Sequence, residues 1–355
     1  MKKLLSEESA RYLTRVRQRA ALKQKAREQK GRATAAQNDD GSLRPIERKR
    51  RERQRLDART EHLRKEIELT APENFSLIHN PEEMIRFFDS ISAALNDNWA
   101  PRLNLRDVKS LGPDAIAVLN ATLDNLTREH QVSIAGSVPK ISTLADILLR
   151  SGFYEHVTPP RGVAYTKPDR GLIAHEMEHI VDTPKANELV QFAMKSLTGA
   201  ATTHRGAYVA LGEMMHNTFD HASRDVTGKE RWWASVYYDD AQDVAHFTFL
   251  DNGVGILGSR PVRRFIDPFR RALNLIEDTE LLQHIFQGKL ASRTGLDWRG
   301  QGLPRVYNRV KNGQLPEMTV LTNRVIGNLE KDEFRPLDVE FAGTLYHWEI
   351  RVSRG

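Results

Sequence analysis

The sequence predicts an α/β protein, and three stretches carry that expectation. Between residue 75 and about residue 160, strand-like and helix-like segments follow one another in the order β-α-β-α. Residues 202–223 index as a helix. Two alternating segments follow, Trp232 to Tyr238 and Val244 to Leu250, and read as paired strands across Asp239–Asp243. Further on, Arg299-Gly300-Gln301-Gly302-Leu303-Pro304 is a glycine-rich turn that feeds an amphipathic helix with apolar Leu303, Val306, Tyr307 and Val310. Mixed periods of about 3.6 and 2 in one chain call for helices packed on sheets.

The 355 residues suggest about two domains. The absence of cysteine excludes disulfides, thiolate zinc sites and cysteine nucleophiles, and suits a reducing cytosol. No run of 18 apolar residues exists, so no membrane span is expected. The start, MKKLLSEESARYL, lacks the apolar core of a secretory signal. These points together predict a cytoplasmic protein.

The net charge of +6 is unevenly placed. Residues 1–70 hold 21 Lys and Arg against 11 Asp and Glu, so the remaining 285 residues are mildly acidic. The segment 1–70 is read as a basic arm, helical or disordered, broken by Gly31, Gly41 and Pro45. Its block Glu47–Arg55 has no apolar face. Two readings stay open: a nucleic-acid arm acting through phosphate charge, and a solvated charged segment. Tyr12 is the arm's one aromatic, so base stacking has little to work with.

Residues 71–160 form the next unit. Pro81 to Ala94 and Ala115 to Glu129 repeat apolar residues at helical spacing, and Ile141 to Ser151 reads as a third helix. Arg102 to Val108 and Gln131 to Ala135 read as strands. Pro159, Pro160, Gly162 and Pro168 mark a linker, after which residues 171–355 form the last unit. His175-Glu176-Met177-Glu178-His179 matches the H-E-x-x-H zinc-protease string, but the context fails it. Glu178 is charged where such helices are apolar, Pro184 is expected to end any helix there, and no third ligand sits at family spacing. Surface histidines are the expectation.

The chemistry concentrates between Leu211 and Ile256. On a helix, Glu213, Asn217, Asp220 and His221 fall on one arc, and Leu211, Met215, Phe219 and Ala222 on the other. The strand His246 to Leu250 runs into Asp251-Asn252-Gly253-Val254-Gly255, where glycines permit close backbone approach. Free N–H groups at the Gly300–Gly302 helix start suit phosphate. Gly343-Thr344-Leu345-Tyr346 enters the last strand.

These four pieces, in this order, resemble the N box, G1 box, G2 box and final Gly-Thr of the GHKL ATPases. That superfamily includes gyrase, MutL and histidine kinases and places ATP on the Bergerat fold. The E-x-x-x-N-x-x-x-H spacing of Glu213, Asn217 and His221 is most similar to the anti-sigma-factor serine kinases. The stretches RLNLRDVKSLGPDAIAVLNATLDNL and VSIAGSVPKISTLADILLRSGFYEHV resemble a STAS domain. Where that family often carries a phosphorylated serine, this chain reads Leu111-Gly112-Pro113-Asp114-Ala115, and Ser110 lies three residues too early. The expected architecture is a STAS-like α/β domain followed by a Bergerat-fold α/β sandwich.

The resemblance implies ATP and Mg2+ as cofactors. Asn217 would offer a neutral carbonyl oxygen to the metal, and Glu213 would act as general base. Asp251 would accept from the exocyclic amine of adenine, where guanine presents a carbonyl oxygen, so ATP is expected over GTP. Gly253, Gly255, Gly300, Gly302, His221, Arg293 and Thr344 would complete nucleotide binding. The interval between the glycine boxes would be the ATP lid. It holds a basic helix with Arg263, Arg264, Arg270 and Arg271, and a second helix from Glu277 to Phe286. The function expected is a regulatory ATPase with slow turnover, gating a protein partner such as a STAS protein or an effector. A protein serine kinase and a nucleic-acid-associated ATP-binding component of a stress or phage-defence system are the alternatives. A homodimer is compatible with all of these.

Overall fold

The computed structural model describes residues 65–130, 132, 134–151, 153, 157–158, 175–178, 181–218, 231–259, 277–289 and 302–352. The protein is a mixed α/β protein with one parallel and one antiparallel main sheet. The basic arm lies outside the described residues, except for its end. Residues Glu66–Thr70, read above as arm, form strand β1 and pair in parallel with β3, Ala100–Asn104. The alternation Glu-Ile-Glu-Leu-Thr is that of an edge strand with one half-buried face, and the surrounding charge hides it in the sequence.

The parallel sheet has the order β1-β3-β5-β6, with β5 at Ile134–Gly136 and β6 at Val157–Thr158. Two short parallel strands, β2 (Asn74–Phe75) and β4 (Ser110–Leu111), form a separate two-stranded sheet. Helix α1 spans Pro81–Asn96 and starts with Pro at its first turn, where a missing N–H costs nothing. Helix α2 spans Pro113–His130 and α3 spans Ser142–Arg150. The expected β-α-β-α order holds.

The antiparallel sheet has the order β10-β11-β9-β8-β7. Its strands are β7 (His175–Glu178), β8 (Arg231–Asp239), β9 (Val244–Asp251), β10 (Thr319–Asn328) and β11 (Glu333–Arg351). Helices α4 (Thr183–Thr198), α5 (Arg205–Asn217), α6 (Asp278–Phe286) and α7 (Gly302–Lys311) cover one face. Their buried side chains share a core with Trp232, Phe247, Phe249, Tyr346 and Trp348. The H-E-x-x-H string therefore begins in a strand. Pro184 does not end a helix but lies in the first turn of α4, capped by Asp182, whose Oδ1 accepts from Lys185 N–H at 3.0 Å.

The opposite face of this sheet is covered as well. Trp233, Leu250, Leu321, Leu337, Phe341 and Leu345 belong to the same apolar cluster as α1, α2 and the parallel sheet. Helix α2 is buried nearly all round, from Ala115 through Ala121, as a helix sandwiched between two sheets must be. Two ion pairs cross from α1 to β11, Arg86–Asp338 and Arg335–Glu82. Three of these four side chains are more than half exposed, so each pair contributes at most about 1 kcal/mol. Burying Leu337 or Phe341 is worth about 1.5–3 kcal/mol each, so apolar contact holds the layers together.

Asp114 stands at the start of α2 and is buried. Its Oδ2 accepts from Leu77 N–H at 2.6 Å and Ile78 N–H at 3.2 Å, and from Ser76 Oγ at 3.3 Å. The carboxylate thus ties down the loop before α1. Burial still pushes its acidity down, raising the pKa against the pull of these donors. Among the described residues no helix is long and apolar enough to cross a membrane.

Candidate active site

The helical face of the antiparallel sheet carries the predicted site. Strand alternation sends Phe247, Phe249 and Asp251 to that face. Register then sets Asp251 opposite Thr344 on β11. Asp251 is buried, with 9% of its surface exposed. Its Oδ1 accepts from Gly253 N–H at 2.9 Å, and it also accepts from Thr344. Desolvation outweighs both donors and raises its pKa to about 6. A carboxylate held this far from water, with so few donors, can accept strongly from a further N–H group.

The loop after Asp251 is fastened from below by two residues that the sequence did not single out. Thr322 Oγ accepts from Ile256 N–H at 2.9 Å and donates to Gly343 O at 3.1 Å. Asn323 accepts from Leu257 N–H at 3.0 Å and donates to Val254 O at 3.0 Å. A register shift in the β10–β11 pairing brings Asn323 into place, with φ of 51°. Gly255 has φ of +73°, and a Cβ there would lie 2.4 Å from Asn323 Oδ1. The close approach that Gly255 permits is thus to the protein's own Asn323. Gly343 has φ of +105°, and a Cβ on it would meet Asp251 O at 1.9 Å. The Gly-Thr pair therefore fits against Asp251 only with glycine first.

A second group forms where α5 and α7 meet. A Cβ on Gly302 would lie 2.8 Å from Glu213 Oε2 and 3.4 Å from Asn217 Oδ1. The glycine of the second box and the polar arc of the N-box helix are therefore brought together, although 85 or more residues separate them in the chain. Glu213 is mostly buried, with 18% of its side chain exposed, and Arg305 Nη1 donates to its Oε1 at 3.0 Å. Arg305, one turn into α7, is the third residue that sequence reasoning missed. The amide nitrogen of Asn217 is buried and has no hydrogen-bond partner.

Helix α5 is anchored at its start by His204, whose Nδ1 accepts from Ala207 N–H at 3.1 Å. Burial keeps that imidazole basicity low, so the cap is a neutral acceptor. Leu211, Met214 and Met215 fix the other side of the helix in the core. Of the interval expected to form a lid, α6 is described, and Leu281, Leu282 and Phe286 bury it firmly in the core. His221, Arg293 and Gly300 lie outside the described residues, as do Arg263, Arg264, Arg270 and Arg271.

The site residues suit Mg2+ and a nucleotide on two counts. The Asn217 amide nitrogen is orphaned, and a flip interchanges it with the oxygen, so the side chain can present a carbonyl to a cation. Gly302 brings bare backbone against Glu213 and Asn217, where any side chain would crowd the Glu213 carboxylate. No protein-family model and no curated protein sequence matches the chain.

Proposed function

We propose that the chain is a Mg2+-ATP-binding regulatory protein of the GHKL type that hydrolyses ATP slowly. The observation that carries this reading is the convergence of Gly302 on Glu213 and Asn217, on the same face of the sheet that buries Asp251 beside Thr344. Asp251 would take the adenine amine, which selects ATP over GTP. Asn217 would hold Mg2+, which neutralises charge on the phosphates when bound. Glu213 would take a proton from the attacking water, after exchanging its bond to Arg305. Arg305 is then free to face phosphate, a role for which its fork of donors is suited.

The finer architecture belongs to the same proposal. Residues 171–355 would be a Bergerat-fold domain, and residues 71–160 a STAS-like scaffold seated on the far face of its sheet. The nucleotide state would gate a protein partner.

The test is calorimetric binding of ATP and GTP with and without Mg2+, followed by product analysis. Mg2+-dependent ATP binding with release of phosphate is expected. Failure to bind any nucleotide would remove the reading. Transfer of the phosphoryl group to a serine of a partner protein, and not to water, would make the protein a kinase.

A further inference from the structure

The face of the antiparallel sheet turned away from this site carries a different set of donors. There β9 presents His246, Thr248 and Leu250, and β11 presents Leu345, His347 and Glu349. Register pairs His246 with Glu349 and Thr248 with His347. One ring nitrogen from each histidine and one carboxylate oxygen lie within 4.8 Å of one another. His246 Nδ1 is 3.5 Å from Glu349 Oε1. It is buried and makes no hydrogen bond.

The two imidazoles stack, with ring centroids 5.7 Å apart, and two neighbouring groups orient the cluster. Arg351 donates to Glu349 Oε2 at 2.7 Å, so Oε1 is the oxygen turned toward the imidazoles. His347 Nδ1 lies 3.1 Å from Thr248 Oγ, a bond that fixes the ring. In the tautomer that donates Nδ1–H to Thr248, Nε2 keeps its lone pair, as in metal sites whose histidines are oriented by a second partner. Tetrahedral coordination with bonds of about 2.0–2.1 Å puts donor atoms about 3.4 Å apart. The His246–Glu349 separation of 3.5 Å already matches.

We propose that His246, His347 and Glu349 bind a divalent transition-metal ion, of which Zn2+ suits the set best. Two imidazoles and one carboxylate favour Zn2+ over Mg2+ or Ca2+, which prefer all-oxygen sites. Three protein ligands leave a fourth position. Water or an exogenous ligand would take it.

The experiment uses the full chain, stripped with chelator and titrated calorimetrically with ZnCl2 alone. One equivalent of Zn2+ should bind, and Glu349→Gln and His246→Gln should each weaken it at least about tenfold. A variant with both His175→Gln and His179→Gln, which removes the other histidine-glutamate string, should bind as the parent does. X-ray absorption on the Zn2+-loaded parent should show two imidazoles, and needs no variant to fold. Absence of stoichiometric binding, an all-oxygen shell, or loss of binding only in the His175/His179 variant would overturn the assignment. None of these readouts involves nucleotide.

Discussion

Asp251→Asn should make the protein more stable and weaken its binding of ATP. The carboxyl's pKa rises from its usual 3.8 to about 6 on folding, because burial outweighs the Gly253 and Thr344 bonds. A raised carboxyl pKa means that the folded state holds a proton the unfolded chain has lost. The stability this gives is complete below about pH 4 and is lost as pH rises through 6. Above pH 6 the ionised Asp251 therefore costs about 3 kcal/mol, at 1.36 kcal/mol per pH unit. Asparagine keeps an acceptor for Gly253 N–H but never ionises. The variant should gain up to about 3 kcal/mol over the parent at pH 8, and the gain should vanish near pH 4. ATP affinity should fall by about 2–4 kcal/mol, from the lost charge-assisted bond and a donor facing a donor. Urea unfolding at pH 4, 6 and 8, paired with ATP calorimetry, measures both. Equal or lower stability of the variant at pH 8 would refute the burial argument, and ATP affinity within twofold of the parent would place the adenine elsewhere.

Glu213→Gln should keep Mg2+-ATP affinity and lose about 10²–10⁴ in single-turnover hydrolysis, since the amide cannot take a proton; unchanged turnover would exclude Glu213 as the base. Asn217→Ala should lose metal-dependent affinity and turnover together, read by binding with and without Mg2+. Gly255→Ala should cost about 1–3 kcal/mol in urea unfolding, because a left-handed φ of +73° and a Cβ 2.4 Å from Asn323 Oδ1 act together; a stability equal to the parent's would mean that Asn323 does not hold this loop. Removing residues 1–64, and so sparing β1, should lower nucleic-acid affinity and its salt dependence while leaving ATP binding intact. Equal DNA binding at low salt with and without the arm would leave the arm as solvated charge.

Local pattern by itself determined the element types and the chemical inventory. The pattern from Val244 to Leu250 was enough to place a strand, but that Asp251 extends it on the side of Phe247 and Phe249 is set by its pairing with Trp232 and Thr344. Helical spacing was enough to put Glu213 and Asn217 on one arc. Such features depend only on neighbours in the chain, and so they are legible there. The first half of β11 was not, because Glu333–Glu340 is charged and holds Pro336. It pairs with β10 alone, and what makes it a strand is the apolar layer that receives Leu337 and Phe341. The same holds for β1, which the charge of its neighbours concealed.

Only the tertiary structure decided which residues meet. Thr322 and Asn323 look like ordinary strand residues until a register shift turns them under the Gly255 loop. Arg305 is one arginine among many until α7 packs on α5 and sets it against Glu213. His246 lies about 100 residues before His347 and Glu349 in sequence and becomes their neighbour through the pairing of β9 with β11. In each case the deciding contact spans a long loop, and its closure is determined by the whole core and not by any segment of it.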